Sequence, residues 1–153
     1  MALRISTGAR EKLVSVSTIK ELLDGGFMDI FTGSQPATAD AVETGTKLVR
    51  ISSTSGTGVS DGLRFGTALA GVLPLTTPVW SGVVSPAGVA GWFRFYGTGG
   101  TSGVAGSSGT NGTAIRIDGN VGVSGADLVL TNTNLALDST LTIKTFSITQ
   151  PAE

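Results

Sequence analysis

Gly91-Trp92-Phe93-Arg94-Phe95-Tyr96-Gly97 carries the strongest strand signal in the chain. Aromatic residues suit the pleated, half-buried surface of a strand, and glycines bound this run on both sides. Side chains alternate across a strand, so Trp92, Arg94 and Tyr96 share one face while Phe93 and Phe95 share the other. The Phe pair is the expected core face. Composition leaves two readings open for the Trp/Arg/Tyr face. It is either a contact surface toward another subunit, built of residue types common in interface anchors, or a second core face under another sheet.

Further strand signals lie on both sides of this run. Phe27 to Phe31 is aromatic and branched between glycines, and Thr46 to Ser52 is a clear strand. Val79 to Val84 is strand-like, with Trp80 near its start. Ala114 to Asp118 and Asn120 to Val123 flank Gly119 as one bent strand or a tight hairpin. Asp127 to Thr131 follows. Thr140 to Thr149 changes its apolar parity near Lys144 and Thr145, which predicts a bulge or a strand that switches sheets. Thr18 and Glu21 have capping-box spacing, and Ile19, Leu22 and Leu23 give one short helix an apolar face that Gly25 and Gly26 end. Residues 1–16 read as an irregular arm. The expected fold is all-β, a single β-sandwich or jelly-roll-like domain over residues 17–153, with one short N-terminal helix. Residues 97–112 hold seven glycines among serines and threonines, which predicts a flexible Gly-rich surface loop.

The chain has 153 residues, enough for one substantial core. Only 14% of them are charged, against ~25% in an average globular domain. There is no Cys and no His. That excludes Ser-His-Asp and Cys-His nucleophiles, thiolate chemistry, disulfides and an ordinary zinc site. The ten cations are scattered, and only Arg94, Arg116 and Lys144 follow Arg64, so nucleic acid is not an expected partner. No run approaches the ~18 apolar residues of a membrane helix. Residues 1–16 lack the apolar core of a secretory signal, so the chain is expected to stay where it is made. A positive mean hydropathy of +0.29 with so little charge suggests apolar surface buried against other subunits.

Several chemical motifs fail on inspection. Gly97-Thr-Gly-Gly-Thr-Ser102 puts Ser where a dinucleotide loop needs its third Gly, and no Lys-Ser or Lys-Thr follows for a P-loop. Asp118 and Asp127, with Asp29 further off, are the nearest carboxylates for glycoside hydrolysis. Asp118-Gly-Asn120 with Asp127 offers oxygen ligands for calcium, but EF-hand spacing is absent and turn chemistry explains the run. Asn111-Gly-Thr113 is a glycosylation acceptor that carries no meaning without secretion. No cofactor and no metal ligand set is assigned. The candidate inter-subunit contacts are Arg4, Arg10 and Lys12 in the arm and Trp80, Trp92, Arg94 and Tyr96 in the strands. For the arm cations the alternative is a solvated tail, and for Arg94 it is ordinary strand alternation.

Three segments together resemble a group of small virion-associated proteins of tailed bacteriophages. They are Ser17 to Ala41 running into Thr44 to Val49, then Ala90 to Tyr96, then Ile117 to Leu130 continuing to the Thr-rich end. The likeness spans about residues 17–150. It implies a structural protein and no enzyme, most like a head decoration or cement protein on the outside of a capsid. The partners it implies are the major capsid protein and further copies of the chain, as dimer or trimer. Localisation is then the capsid surface of the virion, after synthesis in the host cytoplasm. The arm would order on the particle. The alternatives are a tail, fibre-base or head–tail joining protein, and a carbohydrate-binding module or hydrolase.

Overall fold

The computed structural model describes residues 3–15, 17–53, 62–76, 80–98, 100 and 115–149. The chain is mostly β, with antiparallel sheets and two helices among the described residues. Its centre is a sheet in the order β1 (Arg4–Ile5), β7 (Arg116–Gly122), β6 (Gly88–Tyr96), β2 (Phe27–Thr32) and β3 (Lys47–Ile51). Two short strands extend it. β8 (Leu128–Val129) pairs in parallel with β7, and β9 (Asn134–Leu135) pairs with the start of β6.

Period-two alternation gives this sheet two different faces. Met28 and Ile30 of β2, Phe93 and Phe95 of β6, and Ile117 of β7 form the apolar face, and all are buried. Two antiparallel ribbons supply the rest of the core. One joins β5 (Trp80–Val83) to β10 (Thr140–Ile143), and the other joins β4 (Val72–Pro74) to β11 (Ser147–Thr149). Trp80, Phe65 and Phe146 meet Phe93 and Phe95 in one aromatic cluster. Phe65 stands edge-on to Trp80 at 5.1 Å, and Phe146 edge-on to Phe93 at 5.7 Å. These are the offset geometries that the ring quadrupoles favour.

The parity change at Lys144 and Thr145 marks a switch of sheets. Thr140–Ile143 pairs with β5, and Ser147–Thr149 pairs with β4. The segments on either side of Gly119 form one strand, β7. Gly119 faces Phe93 across the ladder, where a Cβ would lie 2.5 Å from the ring. Gly82 of β5 crosses the open edge of β3 so closely that a Cβ would lie 2.0 Å from the Arg50 carbonyl oxygen.

The N-terminal segment differs from the sequence reading. Residues 1–16 were expected as an irregular arm, but Arg4–Ile5 is an edge strand of the main sheet and Thr7–Ser15 is a helix, α1. Ser6 caps α1 by accepting from the Ala9 amide at 3.3 Å, and it also accepts from the Arg116 amide at 3.0 Å. Ala9 is buried on the core side. The expected short helix is α2 (Ile19–Leu23), and its Thr18/Glu21 capping box is formed. The Gly-rich loop over residues 97–112 lies outside the described residues, apart from Gly97, Thr98 and Gly100. No described helix is long and apolar enough to cross a membrane.

Candidate functional site

The second face of the main sheet carries a row of charge. Strand register places Arg4, Asp118, Arg94, Asp29 and Arg50 side by side across β1, β7, β6, β2 and β3. The sign alternates at every step. Opposite charges directly across a ladder attract, and like charges there would repel. Each charge has uncharged residues on either side of it in its strand, as in Met-Asp29-Ile, Val-Arg50-Ile, Phe-Arg94-Phe and Ile-Asp118-Gly.

Two bidentate pairs dominate the row. Arg94 donates from Nε and Nη2 to the two carboxylate oxygens of Asp118, both at 2.7 Å, and both side chains are fully buried. Arg50 donates in the same way to Asp29, both at 2.8 Å, with its guanidinium 3.8 Å above the Phe27 ring. Such forks match the guanidinium to the carboxylate in direction as well as in charge.

The connection between β2 and β3 lies over this face as a strap. Ala41 accepts a hydrogen bond from Arg94 Nη1 at 2.7 Å, and Thr44 accepts one from the Trp92 indole at 3.3 Å. Glu43 approaches Arg94 Nη1 at 3.3 Å and accepts a hydrogen bond from the Tyr96 hydroxyl. Arg4 donates to the Pro36 carbonyl. Asp40 accepts from the Thr7 amide at 3.0 Å and from its hydroxyl at 2.7 Å, so the strap also satisfies the first turn of α1. Flat aromatic stacks close the sides, with Phe31 on Trp92 at 4.5 Å and Phe27 on Tyr96 at 4.7 Å.

Burial sets the electrostatics. It lowers the pKa of Arg94, but the hydrogen bonds and charge of Asp118 outweigh it and hold the guanidinium above its ordinary value. The hydrogen-bonded Asp29 raises Arg50 likewise. Burial pushes the Tyr96 phenol up, and the hydrogen bond to Glu43 adds to the rise. Arg116 is lowered by burial and by the neighbouring Arg94 charge. A phenol held this firmly neutral is neither a base nor a nucleophile at neutral pH. The row therefore holds fixed, mutually compensated charges that fasten the strap to the sheet.

This arrangement corrects the contact assignment. Trp80, Trp92, Arg94 and Tyr96 are all fully buried within the chain. Of the two readings for the Trp/Arg/Tyr face, the covered one is observed, with the strap as its cover in place of a sheet. Trp80 belongs to the aromatic core. Arg10 is exposed, while Arg4 and Lys12 are half-buried. The carboxylate candidates also separate. Asp118 is taken by Arg94, whereas Asp127 and Asn120 exchange side chain-to-backbone bonds at 2.9 and 3.0 Å. Among the described residues, no group of three or more His, Cys, Asp or Glu side chains converges as a metal site. Arg50, Glu43 and Asp40 were missed as site residues, and Asp29 was named only as a further carboxylate for glycoside hydrolysis. Their signal was the mid-strand charges Asp29 and Arg50 and the acids in the loop between β2 and β3. Comparison with protein-family models, with curated proteins and with solved structures found no match.

Proposed function

We propose that this chain is a virion structural protein of a tailed bacteriophage, a head decoration protein that binds the outside of the capsid and bridges neighbouring capsid subunits. It works as a scaffold and not as an enzyme. The likeness of residues 17–150 to small virion proteins supports this reading. So does the architecture, since two ribbons packed across the apolar face of the main sheet suit a sandwich-like shell component. Buried Arg94, Asp118, Asp29 and Tyr96 are spent on one another and on Arg50 and Glu43.

The observation that carries the proposal is the exposed apolar surface at one end of the sheet. Val83, Val89, Val123, Val129 and Leu137 are each more than half exposed. Pairing of Val89 with Asn134, of Gly122 with Val129, and of Asp138 with the Val84 carbonyl gathers them around the start of β6. Clustered exposed apolar side chains mark surfaces that other subunits cover. Many such modest contacts on a shell add by avidity. Arg10, exposed on α1, remains a candidate contact.

The test is the copy number of this chain in purified virions. A ratio to the major capsid protein near one, or a simple fraction of it, is expected. A small symmetric number would move the chain to the tail, fibre base or head–tail joint. Absence from the particle would overturn the structural reading. A carbohydrate-binding module would require exposed aromatic platforms, and Trp80, Trp92 and Tyr96 are buried.

A further inference from the structure

β8 and β10 flank a groove of about 420 Å³ lined by Val129, Leu130 and Thr131 on one side and Leu141 to Thr145 on the other. Backbone alternation shows which groups point into it. The Ser139 carbonyl accepts from the Val84 amide, which places Ser139, Leu141 and Ile143 in the bonded pairs toward β5. Ser81, opposite Thr142, exchanges its backbone bonds with Ser52 on its other side, as that alternation requires. Thr142 therefore directs its N–H and C=O away from β5, toward the groove. On the facing strand, the Leu130 amide donates to Gly122, so Leu130 turns toward β7 while Val129 and Thr131 turn outward. Neither of these edges pairs with another described strand.

The geometry points to a slot for β-strand addition between β8 and β10. Its occupant is an extended segment of a different, partner protein that carries a carboxylate opposite Lys144. Two facing edges can bond a single strand on both sides, and main-chain bonds then supply affinity while side-chain pockets supply selection. The lining segments are three and five residues long, which at ~3.3 Å per residue sets a short recognition segment. Alternation within the occupant follows from the walls, since Leu130 and Ile143 are buried and apolar while Val129, Thr131 and Thr142 are exposed. Lys144 is exposed at the end of this lining, and no described carboxylate forms an ion pair with it. Every described strand of a second copy already lies in a sheet and cannot enter as a lone strand, which favours a partner chain. The inference does not depend on the capsid assignment.

A displayed library of short random peptides, panned against the folded full chain, tests it. Enriched sequences should alternate apolar and polar residues and carry Asp or Glu. Thr142→Pro removes an N–H that no described strand uses, and proline is tolerated on an open edge, so the fold should survive. Binding should fall about tenfold or more, because a bond to the incoming strand is lost and its carbonyl is left unsatisfied. Thr142→Ala keeps the amide and should bind like the parent chain. Lys144→Glu, an exposed change, should weaken the acidic peptides even if the proline variant does not fold. The Thr142 amide should exchange rapidly in the free chain and slowly with peptide bound. Failure to enrich any peptide, or peptides indifferent to both Thr142→Pro and Lys144→Glu, would overturn the slot. A dimer of the chain that Thr142→Pro abolishes would overturn the partner assignment in favour of a second copy.

Discussion

Arg94 and Asp118 meet across β6 and β7 through two parallel hydrogen bonds of 2.7 Å, with neither side chain exposed to solvent. A buried pair of this kind contributes little over two well-packed apolar residues, yet removing one partner strands the other charge. Arg94→Met should therefore cost about 3–5 kcal/mol in denaturant unfolding. Asp118→Leu should cost a similar amount. The double variant should recover part of the loss, since Arg94 and Asp118 no longer strand each other, while Glu43 still loses its ion pair to Arg94. Additive losses would show that the pair is not coupled.

Tyr96 is the chain's only tyrosine, which makes its titration directly readable. Burial raises its folded pKa well above the ordinary value of 10.0. Below about pH 10 the phenol is protonated in both folded and unfolded chains, and its contribution to stability is complete. Above that, the unfolded chain loses the proton while the folded chain keeps it. Stability then falls by up to about 1.4 kcal/mol per pH unit from this group. Tyr96→Phe should remove that component of the alkaline decline while lowering stability at pH 7 through the lost bond to Glu43. Tyrosinate absorbance of the folded parent chain should stay low at pH values where a free tyrosine ionises. Ionisation near pH 10 without unfolding would refute the argument.

Much of the core was legible because strand alternation is a local signal. Phe93 and Phe95 face the core as their period requires, and the parity slip at Lys144 foretold that β10 and β11 join different ribbons. The charge row was half visible. The sequence showed charges set between uncharged neighbours in the strands, but only register could reveal that Arg4, Asp118, Arg94, Asp29 and Arg50 fall in one line. Register is set by long-range pairing, which composition does not carry. Arg94 and Tyr96 looked like contact residues because their cover, the strap around Ala41 to Thr44, reads locally as a polar loop. Helix α1 was missed for a related reason. Residues 7–15 lack a sustained apolar stripe, and part of the satisfaction of its first turn comes from Asp40, more than thirty residues away.

That dependence gives the N-terminal segment a different expected role from a detachable arm. Arg4 and Ile5 pair with Asp118 and Ile117, Ser6 bonds the Arg116 backbone, and Ala9 is buried. Deleting residues 1–16 would uncover the edge of β7 and one end of the charge row. It would also leave Asp40 without Thr7. The truncated chain should unfold at markedly lower denaturant concentration than the full chain. Asp40→Ala alone should reproduce a small part of that loss, about 1 kcal/mol, as for other helix-terminus partners. Arg10→Ala, at an exposed position, should change stability by less than about 0.5 kcal/mol. If the truncated chain instead unfolds like the parent, β1 and α1 are dispensable to the fold. Residues 1–16 would then regain the role of an arm free to engage a partner. The ordering of these three variants, truncation well below Asp40→Ala and Asp40→Ala below Arg10→Ala, separates a segment built into the sheet from one resting on it.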